Sequence, residues 1–134
     1  MSNYAFIDVQ NTDSTTKQLL NFYIDWLKLY NFLKKNKQCK EVFFYTGVNE
    51  KSIETIDLLN ILEQNGCKIR SKILHIYKNK DKDIKVSCPK CSNQFIEHID
   101  MGYHYKSNCD VDLTVDAMQL LNKNNTFYFF TGDG

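Results

Sequence analysis

The sequence predicts an α/β fold with a central, mostly parallel sheet flanked by helices. Three observations predict it. Short apolar runs of strand length alternate with longer stretches that repeat an apolar residue every three or four positions, giving strand, helix, strand, helix, strand, helix, strand. The strand runs are largely continuous rather than alternating, as in strands covered on both faces. That order is also the signature of crossover connections between parallel strands. At 134 residues the chain is long enough to bury one core, and no repeat, low-complexity tract or linker divides it, so a single domain over 1–134 is expected.

Residues 4–9 (YAFIDV) read as a buried strand whose last residues, from Asp8, leave the core. Capping residues at 12–16 then open a long helix whose apolar stripe is Leu19, Leu20, Tyr23, Trp26, Leu27, Tyr30 and Leu33. The helical period assigns these aromatics to a core rather than to a platform for stacking bases. EVFFYTG (41–47) is the second strand, and SIETIDLLNILEQNG (52–66) an amphipathic helix closed by Gly66. CKIRSKILHIY (67–77) is the third strand, CDVDLTVDAM (109–118) a helix, and TFYFFTGDG (126–134) the run into the last strand. Residues 79–102, which carry CPKC, interrupt the alternation as a Cys-containing hairpin insertion.

Seventeen basic residues face sixteen acidic ones, so bulk charge advertises neither nucleic acid nor membrane. Its distribution is uneven: 68–90 holds eight Lys or Arg against two Asp, whereas 92–134 holds six acids against two Lys. A basic flank beside an acidic pocket suits a phosphate-handling site, and a solvated lysine-rich loop explains the same count. The first eleven residues lack a basic lead into an apolar run, and no run approaches the roughly 18 residues of a membrane span. The expected compartment is the cytoplasm, with no membrane partner, and five cysteines, an odd number, fit reduced thiols there.

Three aspartates fall within seven residues of the 109–118 helix. Asp110 is explained as its N-cap, but Asp112 and Asp116 sit one turn apart on one face, where like charges repel by a few tenths of a kcal/mol. Ligands in open α/β sheets bind beyond the carboxyl ends of the strands. Asp8 ends the first strand, Asp133 the last, and Asp112 and Asp116 begin the helix leading into it. Four converging carboxylates are the oxygen donors that Mg²⁺ or Mn²⁺ takes, so a metal is the expected offset to their repulsion. The bland alternative is turn chemistry for Asp133 and solvation for the other two.

At these residues the chain resembles a known family. FIDVQN is similar to the opening strand of NYN domains, which belong to the PIN-like nuclease group and include the LabA-like proteins. KSNCDVDLTVDAM resembles the family's Lys-rich approach, Asp-apolar-Asp and a further Asp four residues on. FYFFTGDG resembles its strand running into Ser/Thr-Gly-Asp-Gly. The motifs occur in the family's order and cover nearly the whole chain. The resemblance implies a Rossmann-like PIN/NYN fold and Mg²⁺- or Mn²⁺-dependent cleavage of RNA. It implies metal-binding and catalytic roles for Asp8, Asp112, Asp116 and Asp133, with Asn11 holding the first loop or the substrate. Lys106 is a candidate phosphate contact. The family pattern continues past Gly134, so the chain is expected to lack its C-terminal part. That favours an alternative: an inactive RNA-binding or regulatory module of the same fold. Whether DNA is cut and whether the chain forms a homodimer stay open.

Cys88 and Cys91 form a Cys-x-x-Cys knuckle, the first half of many Zn²⁺ sites. His98, His104 and Cys109 are the candidates to complete it. A redox role fits less well, since the pair does not open a helix after a strand. His75 reads as an ordinary core or surface histidine.

Overall fold

The computed structural model describes residues 1–132, the side chains of Tyr105 and Lys106 excepted. In chain order its elements are β1 (Ser2–Asp8), α1 (Val9–Leu20), α2 (Trp26–Lys35), β2 (Cys39–Val48), α3 (Ile53–Gln64), β3 (Lys68–Ile73), β4 (His75–Lys78), β5 (Lys82–Ser87), β6 (Gln94–Ile99), β7 (Tyr103–Lys106), α4 (Asp110–Gln119) and β8 (Asn125–Phe130). They form two compact units, Met1–Ile73 with Ser107–Gly134, and Leu74–Lys106.

The first unit has the expected α/β architecture. Its sheet runs β3-β2-β1-β8, with every neighbouring pair parallel. The chain leaves β1 toward β2 and β3 on one side and returns to β8 on the other, so strand order reverses beside β1. Period-two alternation splits the core into two faces. Ala5, Ile7, Val42 and Phe44 pack against Trp26, Tyr30 and Leu33 of α2 and Leu62 of α3. Tyr4, Phe6, Phe43 and Tyr45 pack on the opposite face, beneath Leu113 and Ala117 of α4. Aromatic rings fill that second layer: Phe6 stacks on Phe43 at 5.2 Å and meets Phe127 edge-on at 5.3 Å.

Four sequence expectations need correction. The long helix starts earlier, at Val9 with Asp8 as its cap, and breaks in two. Asn21 ends α1 in the left-handed region (φ 58°), and Asp25 starts α2 by accepting from the Lys28 amide at 3.1 Å. Leu19, Leu20 and Tyr23 are therefore exposed instead of joining the stripe, while Trp26, Tyr30 and Leu33 are buried. The third strand stops at Ile73, where its partner β2 ends at Val48. Residues 75–78 instead pair with β7. The insertion is thus longer than 79–102 and forms the second unit. Lastly, Cys109 and not Asp110 is the N-cap of α4; Asp110 lies in the first turn, where an acid complements the helix dipole.

The second unit consists of two antiparallel pairs, β4 with β7 and β5 with β6. The β5–β6 turn carries Cys88 and Cys91. It is closed by Cys88 N–H donating to Asn93 O at 2.8 Å and Ser92 N–H to Cys88 O at 2.9 Å.

Candidate functional site

Asp8 is the last residue of β1, as the sequence suggests, and is buried. Its carboxylate caps α1: Oδ1 accepts from the Asn11 amide at 3.4 Å, and Oδ2 from Asn11 Nδ2 at 2.7 Å. Asn11 therefore orients Asp8. The carboxyl ends of β1 and β8 adjoin, since Ile7 is in register with Phe130. Thr12 Oγ1 donates to Phe130 O at 2.8 Å, tying α1 to the end of β8. Two residues on, a Cβ on Gly132 would lie 2.3 Å from Thr15 Oγ1 and 2.4 Å from Asn11 O. Only glycine lets the chain after β8 press this closely on the first turns of α1.

Across the sheet Asp8 is in register with Tyr45, Tyr45 with Arg70, and Gly47 with Lys72. Above this row lie the two half-buried acids of α4. Asp116 Oδ2 accepts from Tyr45 Oη at 2.8 Å and from Arg70 Nε at 3.1 Å. Asp112 Oδ2 pairs with Lys72 Nζ at 2.6 Å, and Lys72 also donates to Asn108 O at 3.1 Å. Among the described residues, two cations from β3 thus supply the offset to Asp112–Asp116 repulsion that was expected of a metal. The hydrogen bond to Asp112 raises the Lys72 pKa, keeping that ammonium charged. Burial first, then the bond to Asp116, pushes the Tyr45 hydroxyl well above its ordinary range, so it stays a donor. A cavity of about 280 Å³ opens beside Asp116, lined by Glu41, Lys68, Arg70 and Gln119 among others.

Tyr45, Arg70 and Lys72 were not singled out in the sequence. The signal for the cations was present: in KIRSK the residues Lys68, Arg70 and Lys72 alternate, which puts them on one face of a strand.

The donor chemistry suits a hard divalent cation, since Asp8, Asp112 and Asp116 offer only carboxylate oxygens. Among the described residues, both contacts to Asp116 fall on Oδ2, and Lys72 likewise takes Oδ2 of Asp112, so each Oδ1 is left to another ligand. Among the described residues, no three His, Cys, Asp or Glu side chains stand close enough together to hold a metal. Asp133 and the Lys106 side chain lie outside the described residues.

The second unit does not gather the expected zinc ligands. Cys88 and Cys91 sit together in the β5–β6 turn, but His98 is paired with Asp83 along the hairpin. His104 is bonded through Nδ1 to Asn79 and stacks on Tyr77 at 5.5 Å. Cys109 is buried under α4, and burial raises its thiol pKa. His75 is a surface residue on β4. All five cysteines are free thiols. No helix among the described residues is long and apolar enough to cross a membrane.

No curated protein and no solved structure gives a significant match to the chain. The model of the NYN domain, a family of PIN-like nucleases that generally use divalent metal ions, matches residues 4–134. That match spans the strand ending in Asp8, the α4 acids and the glycine-tight end of β8, and by it the chain belongs to the NYN domain family.

Proposed function

We propose that the chain is an endoribonuclease whose phosphodiester cleavage depends on Mg²⁺ or Mn²⁺ held by Asp8, Asp112, Asp116 and Asp133. One observation carries this reading. In an NYN chain, Asp8 and the cation-paired acids of α4 lie on one side of a parallel sheet, near the carboxyl ends of its strands and the reversal of strand order. The ion, when bound, polarises the phosphate and acidifies the attacking water. The protein's own groups do the rest. Asn11 fixes the Asp8 carboxylate and donates to substrate when RNA enters, and Lys106 is a phosphate contact. Arg70 and Lys72 hold Asp116 and Asp112 by one oxygen each, which leaves the other oxygen for the ion. The five free thiols fit the reducing cytoplasm.

A second reading, an RNA-binding module without turnover, is favoured by the same ion pairs, because Arg70 and Lys72 already neutralise both α4 carboxylates. Labelled RNA separates the two. Cleavage that needs Mn²⁺, stops with chelator and is lost in Asp8→Asn supports the nuclease. Cleavage indifferent to chelator overturns it, and RNA binding without cleavage selects the module.

A further inference from the structure

The Cys88–Cys91 knuckle takes no part in the proposed cleavage, yet its turn is built in detail. Cys88 N–H and Ser92 N–H close the loop on Asn93 O and Cys88 O, and Ser92 adopts the left-handed region (φ 59°). The backbone N–H groups of Lys90 and Cys91 point at Cys88 Sγ. A turn that presents two sulfurs to one point is half of a tetrahedral Zn²⁺ site, which takes four ligands with Zn–S near 2.3 Å.

The histidines of this unit are engaged elsewhere. His98 is in register with Asp83, four residues back from Ser87 at the mouth of the turn. That separation is roughly 13 Å at about 3.3 Å per strand residue. His104 is held by Asn79 and Tyr77 in the other two-stranded sheet, where His75 also lies. The remaining cysteines, Cys39, Cys67 and Cys109, are buried in the sheet unit.

We propose that Cys88 and Cys91 form half of a zinc site whose other half is the same pair on a second copy of this chain. Two identical knuckles meeting about a two-fold axis supply a closed Cys₄ set. Four thiolates and Zn²⁺ sum to a charge of −2, which Lys90 from each copy offsets. The hairpin itself has reason to pair. A two-stranded hairpin alone is marginally stable in water. One of its faces carries Ile84, Val86 and Phe95, with Val86 in register with Phe95 next to the turn. Ile84 is 44% and Phe95 49% exposed. A second hairpin docked at the shared ion gives these side chains something to cover them.

The test is zinc content and molar mass of the full chain, loaded with Zn²⁺ under reducing conditions. The expected result is one zinc per two chains and a dimer that dissociates when a chelator is added. Cys88→Ser and Cys91→Ser should each be monomeric and zinc-free with the sheet's circular dichroism intact, and His98→Ala should keep both ion and dimer. Parent chains carrying two different tags should exchange into mixed dimers only with Zn²⁺ or Co²⁺ present, and the Co²⁺ form should show the spectrum of four thiolates. A monomer with one zinc per chain, loss of zinc in His98→Ala, a dimer that survives chelation, or no zinc uptake would each overturn the proposal. None of these outcomes touches the nuclease reading, which rests on Asp8 and α4.

Discussion

Replacing Tyr45 by Phe removes one oxygen from the centre of the site and nothing else. The ring is fully buried and stacked 6.4 Å from Phe43, and phenylalanine keeps that packing. What disappears is the 2.8 Å donation from Tyr45 Oη to Asp116 Oδ2. A hydrogen bond to a charged acceptor contributes about 1.5–3 kcal/mol net. Asp116 keeps Arg70 at 3.1 Å, and its side chain is 15% exposed, so water can replace the hydroxyl only in part. The expected cost is at the lower end, about 1.5 kcal/mol, or roughly 5 °C in Tm for a chain of this size. Thermal and denaturant unfolding of Tyr45→Phe, Asp116→Asn and the double variant would measure it. The double-mutant cycle should return a coupling of about 1 kcal/mol or more, as contacting residues do. If Tyr45→Phe unfolds within about 0.3 kcal/mol of the parent, or the cycle shows no coupling, the hydroxyl does not hold Asp116.

Other perturbations have equally definite outcomes. Asp112→Asn should abolish Mn²⁺-dependent RNA cleavage while leaving Tm nearly unchanged, because the Lys72–Asp112 pair is half exposed and the substitution relieves repulsion with Asp116; a large drop in Tm would make Asp112 a structural residue. Burial lifts the Cys67 thiol from 9.0 to about 12, so its contribution is intact below pH 9 and lost as pH climbs toward 12. That loss is about 1.4 kcal/mol per pH unit from this one group, and Cys67→Ala should flatten the alkaline limb of a denaturant-midpoint profile. Gly66→Ala should destabilise by about 1–2 kcal/mol in urea unfolding. Gly66 has φ +97°, and a Cβ there would crowd Tyr30 Oη at 3.3 Å, disturbing its bond to Asn65 O.

The sequence made some of this legible and hid the rest for identifiable reasons. Asp8 could be read because a run of four apolar residues ends in a carboxylate, which marks the end of the strand, although the carboxylate itself stays buried as the cap of α1. Asp112 and Asp116 could be read because helical spacing puts them on one face. What those acids turn toward could not, since a partner on a strand some forty residues away leaves no local trace; only the alternation in KIRSK hinted at it. The break between α1 and α2 was hidden because Leu20, Tyr23, Trp26 and Leu27 keep helical spacing straight through it. Spacing cannot see a left-handed residue, although Asn21 and Asp25 are the residue types that stop and restart helices. Apolar residues continue past Ile73 and make the third strand look longer than it is, whereas pairing ends where β2 ends.

One helix covers the face of the sheet that bears the site. Among the described residues, the cluster of Tyr4, Phe6, Phe43 and Tyr45 is roofed by α4 and its flanking residues alone, and α4 also carries Asp112 and Asp116. Excursions that lift α4 therefore expose half the core and scatter the acids in one event. Hydrogen exchange should see this as a shared opening free energy for the α4 amides, lower than that of β1 and β2 at the middle of the sheet. The fraction of molecules with an assembled acidic pair is then set by how often that single helix lets go.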